Sequence, residues 1–331
     1  MPHRTAGAAV SIIICTANRP AALRETLSSL QGTHVPPGWD VELIVVDNAP
    51  SDSTRAVVQC FDWQGVHVRY LSESRRGKGH ALNTGIAAST GDVLLFTDDD
   101  VRPSREWLTK ISEPLLLNQA DAVGGRVRLA PHLERPWLTD DYKRWLAWCE
   151  EPDPRFPNEL IGANMGLRRS VLSVIPGFDP ELGPGAAGLG EDTLIGWQLE
   201  RGAFRVRFAP DAMVEHHPDL SRLLRSAWLR MAQAHGRKDA YLLHHWKHQI
   251  LSAPAARMLW LRLKLAVRRR VQPPIPLDSE GCTRWEMSYV GDIEMCGAYL
   301  RERRRTRNYE RYGLQRLDSL SGTLDLPGGR Q

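Results

Sequence analysis

Residues Val93–Asp100 read VLLFTDDD and give the strongest indication of how this chain folds. The apolar half is typical of a buried strand, and the three aspartates follow where that strand ends. Three adjacent like charges repel one another unless a cation or hydrogen-bond donors hold them. Hard divalent cations such as Mg²⁺ and Mn²⁺ prefer oxygen ligands, whereas a solvated acidic turn is the alternative interpretation.

Strands and helices alternate along the first half of the chain. Apolar runs predict strands at Val10–Cys15, Val41–Asp47, Val66–Leu71 and Val93–Thr97. Helical patterns predict helices at Pro20–Gln31, at Gly79–Ser89 and from a capping Ser104 to about Asn118. This alternation is typical of an α/β fold with a mostly parallel central sheet flanked by helices.

Polar side chains occupy the carboxyl ends of three of these strands. They are Thr16, Asp47 and the triplet Asp98–Asp100. In open α/β sheets, ligands bind outside the carboxyl ends of the strands. A cap or a turn explains any one of these residues, but it explains their convergence less well, so we predict a binding edge there.

The second half of the chain has a mixed pattern. We predict strands at Ala122–Leu129 and Phe204–Ala209, and helices at Arg168–Ile175 and Asp192–Arg201. After Pro218 the pattern is mainly helical and rich in Arg, Trp and His, so we expect a domain boundary near residue 218. We also expect a linker at Gln272–Leu277 and a disordered tail at 319–331.

The composition is that of an ordinary folded protein of 331 residues, with 42% hydrophobic and 25% charged residues and a formal charge of +4. No apolar run approaches the roughly 20 residues that span a bilayer. The first residues lack the features of a secretory signal, and the five cysteines show neither disulfide nor metal-site spacing. We therefore expect a cytoplasmic location.

Several longer fragments occur in a distinctive order: VSIIICTANRP, VELIVVDNAPSD, RGKGHALNTGIAASTGDVLLFTDDD, LIGANMGLRRSVL, GFDPELG, GEDTLIGWQLERG and APDAMVEHH. In this order and spacing they resemble the family 2 glycosyltransferases, which adopt the GT-A fold. The resemblance covers roughly Val10 to His217. It implies a catalytic domain at 1–217, with a nucleotide-binding half at about 1–100 and an acceptor half at about 101–217. The pattern after Pro218 predicts a helical basic region at 218–318 beyond it.

The resemblance assigns the aspartates to a DxD motif, in which carboxylates bind Mn²⁺ or Mg²⁺ against the diphosphate of a nucleotide sugar. It implies Asp100 as the direct metal ligand and Asp98 as a further metal residue, with Asp98 and Asp99 directed toward the ribose and the metal's water shell. His216 matches the histidine that completes the metal site. The adjacent His217 leaves open which of the two is used, and a histidine that only packs or hydrogen-bonds is the alternative.

Donor recognition is implied at further positions. By resemblance Thr16 and Asp47 contact the base, and Arg19 is a candidate for the same pocket. Arg76 and Lys78 lie in the loop before a helix, where they meet the diphosphate or base or simply form a solvated basic loop. Asn164 matches a position that lines the donor-sugar pocket, with a buried hydrogen-bonding asparagine as the alternative.

Glu191 and Asp192 open a predicted helix, where acids are stabilised by the helix dipole, so capping is one interpretation. The resemblance instead implies that Asp192 is the base that deprotonates the acceptor hydroxyl. Glu191 then binds the acceptor or orients the helix. Attack opposite the leaving diphosphate would invert the anomeric carbon in a single displacement.

Three surface features have two interpretations each. The segment Gly183–Gly190 predicts a mobile acceptor-side loop or a long surface connection. Two roles are open for the aromatic residues Trp137, Trp145 and Trp148: their rings bind a sugar or lipid acceptor, or they are buried by packing within the protein. The basic stretch Arg257–Arg270 predicts peripheral contact with the inner face of a membrane, or a helix packed on the catalytic domain, since its apolar residues scatter around the helix.

The leading prediction is a metal-dependent inverting glycosyltransferase that uses a UDP-, GDP- or dTDP-sugar. Its acceptor would be a glycan, a lipid-linked molecule or a small molecule. A sugar-1-phosphate nucleotidyltransferase would need a glycine-rich phosphate loop after the first strand. The chain reads CTANRPAAL there, with no glycine, so this alternative is disfavoured. A non-catalytic scaffold is disfavoured because the acidic motifs and His216 occur together. Nucleic acid is not an expected partner, because the arginines match no binding-fold pattern.

Overall fold

The computed structural model describes residues 7–153 and 159–318. The tail predicted at 319–331 lies outside the described residues. Within the described ranges the strands are β1 Ala9–Thr16, β2 Asp40–Asp47, β3 Val66–Ser72, β4 Val93–Asp98, β5 Val101–Pro103, β6 Ala122–Leu129, β7 Asn164–Arg168 and β8 Val206–His216. The α-helices are α1 Pro20–Gln31, α2 Asp52–Gln59, α3 Lys78–Ala88, α4 Trp107–Leu116, α5 Asp140–Arg144, α6 Glu191–Arg201, α7 Arg225–Tyr241, α8 Pro254–Val271 and α9 Arg284–Glu302.

The strands form one sheet in the order β3-β2-β1-β4-β7-β6-β8-β5. The first four of these pair in parallel, as the alternation of strands and helices predicted. Since successive side chains of a strand point to opposite faces, Ile12 packs with α1 and Ile13 packs with α3. A strand that is apolar at every position is therefore buried on both faces.

The other half of the sheet is mixed. Strand β7 lies antiparallel between β4 and β6, β6 pairs in parallel with β8, and β5 pairs antiparallel with β8. Parallel pairings still outnumber antiparallel ones, so the predicted mostly parallel α/β sheet is confirmed. The antiparallel β7, which contains Asn164, was not predicted.

Three predicted elements need correction. Ser104 does not cap α4, because its backbone N–H bonds to Met213 in the sheet and its hydroxyl has no partner; α4 begins at Trp107. The helix predicted at Arg168–Ile175 is a 3₁₀ turn at Arg169–Ser173, since the chain leaves β7 only a few residues before a Pro-Gly pair. The strand predicted at Phe204–Ala209 begins at Val206 and continues to His216.

The last three helices form a layered group beside the sheet. Helix α7 packs on α9 so closely that a Cβ on Gly236 would lie 2.3 Å from the Gly291 carbonyl oxygen. Helix α8 packs on the other side of α9, and the predicted linker Gln272–Leu277 joins the two. Trp228 of α7 shares a buried apolar cluster with Leu129 of β6, so this group and the sheet have core in common. The domain boundary near residue 218 stays a prediction.

Among the described residues, no helix is both long enough and apolar enough to cross a membrane.

Candidate functional site

Of the aspartates at the end of β4, Asp99 and Asp100 are buried and Asp98 is half-buried, and each has a cationic neighbour. Asp99 accepts hydrogen bonds from Thr16 Oγ1 at 2.7 Å and from Arg19 Nη1 at 2.7 Å. The other end of the Arg19 guanidinium donates to Asp100 Oδ2 at 2.6 Å. Burial raises the pKa of Asp99 to about 6 although Arg19 opposes this shift. The sequence did not predict that Arg19 would hold two of the three aspartates together.

Asp100 also meets the predicted histidine. Its Oδ1 lies 3.3 Å from His216 Nε2, because β5 and β8 pair with Val101 opposite His216. Burial opposes the charged form of both groups, but their mutual attraction lowers the pKa of Asp100 and raises that of His216. The neighbouring His217 turns away to Glu215, at 2.6 Å. The geometry therefore brings His216, and not His217, to the aspartates.

The Asp100–His216 pair has the chemistry of a partial metal site. His216 Nδ1 lies 2.8 Å from the Leu146 carbonyl. Because a carbonyl can only accept, Nδ1 donates its proton to it, and Nε2 is the ring nitrogen that faces Asp100. Within residues 7–153 and 159–318, no group of three or more His, Cys, Asp and Glu side chains is arranged to hold a metal ion. A carboxylate and an imidazole fit a divalent ion whose other ligands are water and substrate phosphates.

The third aspartate has a different neighbour. Lys78 Nζ donates to Asp98 Oδ1 at 2.6 Å and lies 3.5 Å from Glu191 Oε1. Burial disfavours the ammonium, but the charges of Asp98 and Glu191 raise its pKa well above the usual value. Lys78 thus links the end of β4 to the start of α6. Asp98 bonds to this lysine rather than to His216. Its role as a metal ligand stays a prediction.

A cavity of about 360 Å³ lies beside the acidic cluster. Asp192 and His216 both line it, together with Trp145, Trp197, Arg222, His235 and Lys238. Asp192 accepts hydrogen bonds from the backbone N–H groups of Gly162 at 3.0 Å and Thr193 at 2.7 Å. Glu191 does not line the cavity; burial and the charge of Asp192 raise its pKa to about 7. The two acids of the predicted motif therefore have different surroundings.

The three tryptophans proposed as acceptor faces divide between the two interpretations. Trp145 lines the cavity and stacks with His235, their ring centroids 4.3 Å apart. Trp137 packs on Trp228 in the core, at 6.2 Å, and Trp148 lies beneath basic side chains of α5. Burial and the nearby Lys238 lower the pKa of His235 to about 3, so the imidazole that stacks on Trp145 stays uncharged at neutral pH.

Two predicted donor-binding residues are engaged within the protein. Asp47 is fully buried and accepts from the N–H groups of Ala49 and Ser51 and from the Tyr70 hydroxyl. Asn164 is also fully buried and bonds Trp107 Nε1 and two backbone carbonyls. The structure thus shows the buried, hydrogen-bonding asparagine that was the alternative for Asn164. Donor contacts by either residue stay predictions.

The loop that carries Arg76 and Lys78 is fixed by a residue that the sequence did not single out. Asn48, just after β2, donates to the carbonyls of Glu73 and Arg75 and accepts from the Gly77 N–H. Beyond the end of the β2–β3 pairing, the Asn48 side chain therefore holds this loop in place through hydrogen bonds to its backbone. Arg76 itself is exposed at this loop.

The glycine-rich segment Gly183–Gly190 is tied at several points. The Gly188 N–H bonds to the Gly183 carbonyl at 2.8 Å, and Arg237 of α7 donates to the Ala187 carbonyl at 3.0 Å. The Pro184 carbonyl accepts from the Lys78 N–H at 2.9 Å. The left-handed φ of 103° at Gly190 turns the chain into α6. This connection therefore touches both the lysine loop and α7; its predicted mobility stays a prediction.

Comparison of the sequence with known proteins finds a matching family and named relatives. A family model described as glycosyl transferase family 2 matches residues 11–174. The chain is 33% identical over 257 residues to the succinoglycan biosynthesis protein ExoM of Rhizobium meliloti (strain 1021), covering 74% of this chain and 79% of that protein. It is 28% identical over 215 residues to the pre-mycofactocin glycosyltransferase of Mycobacterium tuberculosis (strain CDC 1551 / Oshkosh), covering 62% of this chain and 42% of that protein.

A solved structure shares the fold. It is the mannosyltransferase PcManGT from Pyrobaculum calidifontis in complex with GDP-Man and Mn²⁺, with a TM-score of 0.58 and 19% identity, covering 90% of this chain and 88% of that one. At this identity the likeness is evidence for the fold alone. Together with the mixed eight-stranded sheet, it confirms the predicted GT-A fold with a helical C-terminal region.

Proposed function

Because the chain belongs to glycosyl transferase family 2 and is a glycosyltransferase, we propose that it uses a nucleoside-diphosphate sugar and a divalent metal ion. The sugar is transferred to an acceptor hydroxyl in a single displacement that inverts the anomeric carbon.

One observation carries this proposal. Asp192 and His216 line the same cavity, and His216 Nε2 is 3.3 Å from Asp100 Oδ1. An in-line displacement needs a base near the attacking hydroxyl and positive charge near the leaving group. In the same cavity, Asp192 is available to act as the base, and His216 is available to help hold the positive charge.

Asp192 is the proposed base. Two backbone N–H groups, from Gly162 and Thr193, hold its carboxylate in one orientation while it lines the cavity. In the proposed reaction it accepts the proton of the acceptor hydroxyl as the oxygen attacks the sugar. Glu191 is proposed to orient the start of α6, since it is buried next to Lys78 rather than at the cavity.

Asp100 and His216 would hold Mn²⁺ or Mg²⁺, which when bound neutralises the negative charge of the departing diphosphate. The protein's own cations balance the rest of the acidic cluster. Arg19 pairs with Asp99 and Asp100, and Lys78 pairs with Asp98. Both cations lie beside the aspartates at which the diphosphate is proposed to bind, which supports the donor-binding roles predicted for them.

The partners are proposed more broadly. The donor is a UDP-, GDP- or dTDP-sugar; GDP-Man and Mn²⁺ occupy the solved neighbour. The acceptor is a glycan, a lipid-linked molecule or a small molecule, and one relative is named for succinoglycan biosynthesis. We also propose a cytoplasmic location with peripheral membrane contact, supported by five free cysteines in the described residues and by the basic C-terminal region.

The test is release of nucleoside diphosphate from a panel of nucleotide sugars, with and without EDTA. Metal-dependent release, restored by Mn²⁺, supports a transferase. Formation of pyrophosphate from a sugar phosphate and a nucleoside triphosphate would instead support a nucleotidyltransferase. A thermal-shift screen of the same sugars with Mn²⁺ then identifies the donor, because a bound ligand raises apparent stability according to its affinity.

A further inference from the structure

The outer face of α8 carries an apolar stripe. Its large apolar side chains are between 53% and 81% exposed: Leu259, Trp260, Leu263, Val267 and Val271. Four of them are spaced four residues apart, so they form one row along the helix. Eight of the eleven large apolar side chains that are exposed in the described part of the chain lie between residues 250 and 277. The exposure is therefore concentrated in one region.

The inner face of α8 attaches the helix to the protein. Leu261 and Leu265 are buried. Ion pairs to α9 flank them, with Arg257 at 3.7 Å from Asp292 and Arg269 at 2.6 Å from Glu286. The helix therefore has two apolar sides. This explains why its sequence looked poorly amphipathic, because one side packs on α9 and the other has no such cover.

Basic side chains surround the exposed row. Arg262, Lys264, Arg268 and Arg270 are all exposed, and the sequence has no acidic residue between Arg257 and Val271. Lys264 Nζ lies 3.6 Å from the centroid of the Trp260 ring. An apolar row flanked by cations, with a tryptophan beside a lysine, matches the boundary between lipid headgroups and acyl chains.

We propose that the outer face of α8 is a docking surface for an anionic lipid membrane. The apolar row enters the headgroup boundary and the flanking cations contact lipid phosphates. A second copy of this chain is a poorer occupant. In a two-fold symmetric contact the same face meets itself, so arginines would oppose arginines with no acid to balance them.

This inference sharpens the membrane contact proposed above and does not depend on the chemistry of transfer. Helix α9 lies between α8 and α7, and α7 supplies His235 and Lys238 to the cavity. The docking face is thus about two helix layers, roughly 20 Å, from the catalytic groups. Changes on this face should leave turnover of a water-soluble donor unchanged.

The experiment is co-flotation of the full chain with vesicles. One set is an equal mixture of phosphatidylglycerol and phosphatidylcholine, and the other is phosphatidylcholine alone. Three variants are compared with the wild type: L263E/V267E in the apolar row, R262Q/R270Q in the basic flank, and L117E as a matched change at an exposed leucine elsewhere. Metal-dependent donor turnover in solution is measured for each, so failure of the proposed reaction is distinguished from failure of docking.

We expect the wild type and L117E to float with the anionic vesicles and not with phosphatidylcholine alone. L263E/V267E should lose binding, and R262Q/R270Q should bind roughly thirtyfold more weakly, with high salt weakening the wild type in the same direction. The proposal is overturned if the wild type does not bind anionic vesicles or if L263E/V267E binds as well as the wild type. It is also overturned if the wild type is a dimer that L263E/V267E converts to monomers.

Discussion

Asp100 and His216 are brought together by backbone pairing rather than by their side chains. Val101 is opposite His216 in the β5–β8 ladder, and the His217 N–H bonds to the Asp100 carbonyl at 2.7 Å. The 3.3 Å between Asp100 Oδ1 and His216 Nε2 follows from this register. Removing either side chain should therefore leave the other in place, which makes the pair suitable for substitution.

Replacing Asp100 with alanine should abolish turnover and weaken Mn²⁺-dependent binding of a nucleoside diphosphate. The reason is the loss of a ligand carboxylate, which typically lowers metal affinity strongly. His216→Gln should weaken the same binding, whereas His217→Gln is the matched control because His217 faces Glu215. Isothermal titration with and without Mn²⁺ measures the effect. Unchanged binding and activity in Asp100→Ala would remove this residue from the metal site.

Asp192→Asn should lower the rate of sugar transfer by about 10²- to 10⁴-fold, because a general base is lost while the side-chain shape is kept. Donor binding should stay close to wild type, and the melting temperature should fall only modestly, because the asparagine has one acceptor oxygen for the two backbone N–H groups that Asp192 accepts. Glu200→Gln is the control, since Glu200 lies on the same helix and lines the same cavity. Equal losses of transfer, donor binding and stability in Asp192→Asn would support the capping interpretation instead.

Glu191 should make the free protein less stable as the pH rises. Its pKa is raised to about 7 by burial and by the charge of Asp192, whereas an unfolded glutamate titrates near about 4.3. Between these values the folded state binds more protons than the unfolded state. The contribution of Glu191 is thus present below about pH 4.3 and is lost as the pH rises through 7.

The variant Glu191→Gln cannot ionise, so it should lack this loss. We expect it to be more stable than the wild type by roughly 1–3 kcal/mol above about pH 8, and not below about pH 4. Denaturation midpoints across this pH range measure the difference. Parallel pH profiles for the two proteins would mean that Glu191 is not the group that titrates.

The sequence was sufficient for features that repeat along a strand or a helix. The apolar runs located the parallel half of the sheet, and the strand ends located the aspartates. It was insufficient where long-range pairing decides the outcome. Strand β7 is only five residues long and has Gly166 at its centre, so its antiparallel partners β4 and β6 define it more than its own sequence does.

The same limit explains a buried network that the sequence did not reveal. Asp179, between the sheet and α6, is fully buried and accepts from the Tyr241 hydroxyl at 2.5 Å and the Tyr309 hydroxyl at 2.7 Å. Arg316 donates to its other oxygen at 2.7 Å. The four residues come from three stretches that are far apart in sequence. The packing of α7 and of the C-terminal segment against the turn before α6 brings them together.

Tyr309→Phe should therefore destabilise the protein by about 1–3 kcal/mol, because a buried carboxylate loses a hydrogen-bond donor. Tyr312→Phe is the control, since the Tyr312 ring packs edge-on against Trp246 and a phenylalanine keeps that contact. Urea denaturation compares the two variants with the wild type. An equally small effect for both would mean that the Tyr309 hydroxyl contributes little to the stability of the network.

The proposed cation between Asp100 and His216 can be located directly. Crystals grown with Mn²⁺ and a nucleoside diphosphate would be measured at the manganese absorption edge, where anomalous scattering identifies the ion. We expect one strong peak within bonding distance of an Asp100 carboxylate oxygen and His216 Nε2, adjoining the diphosphate. A diphosphate bound with no such peak, or a peak that contacts neither residue, would contradict the proposed site.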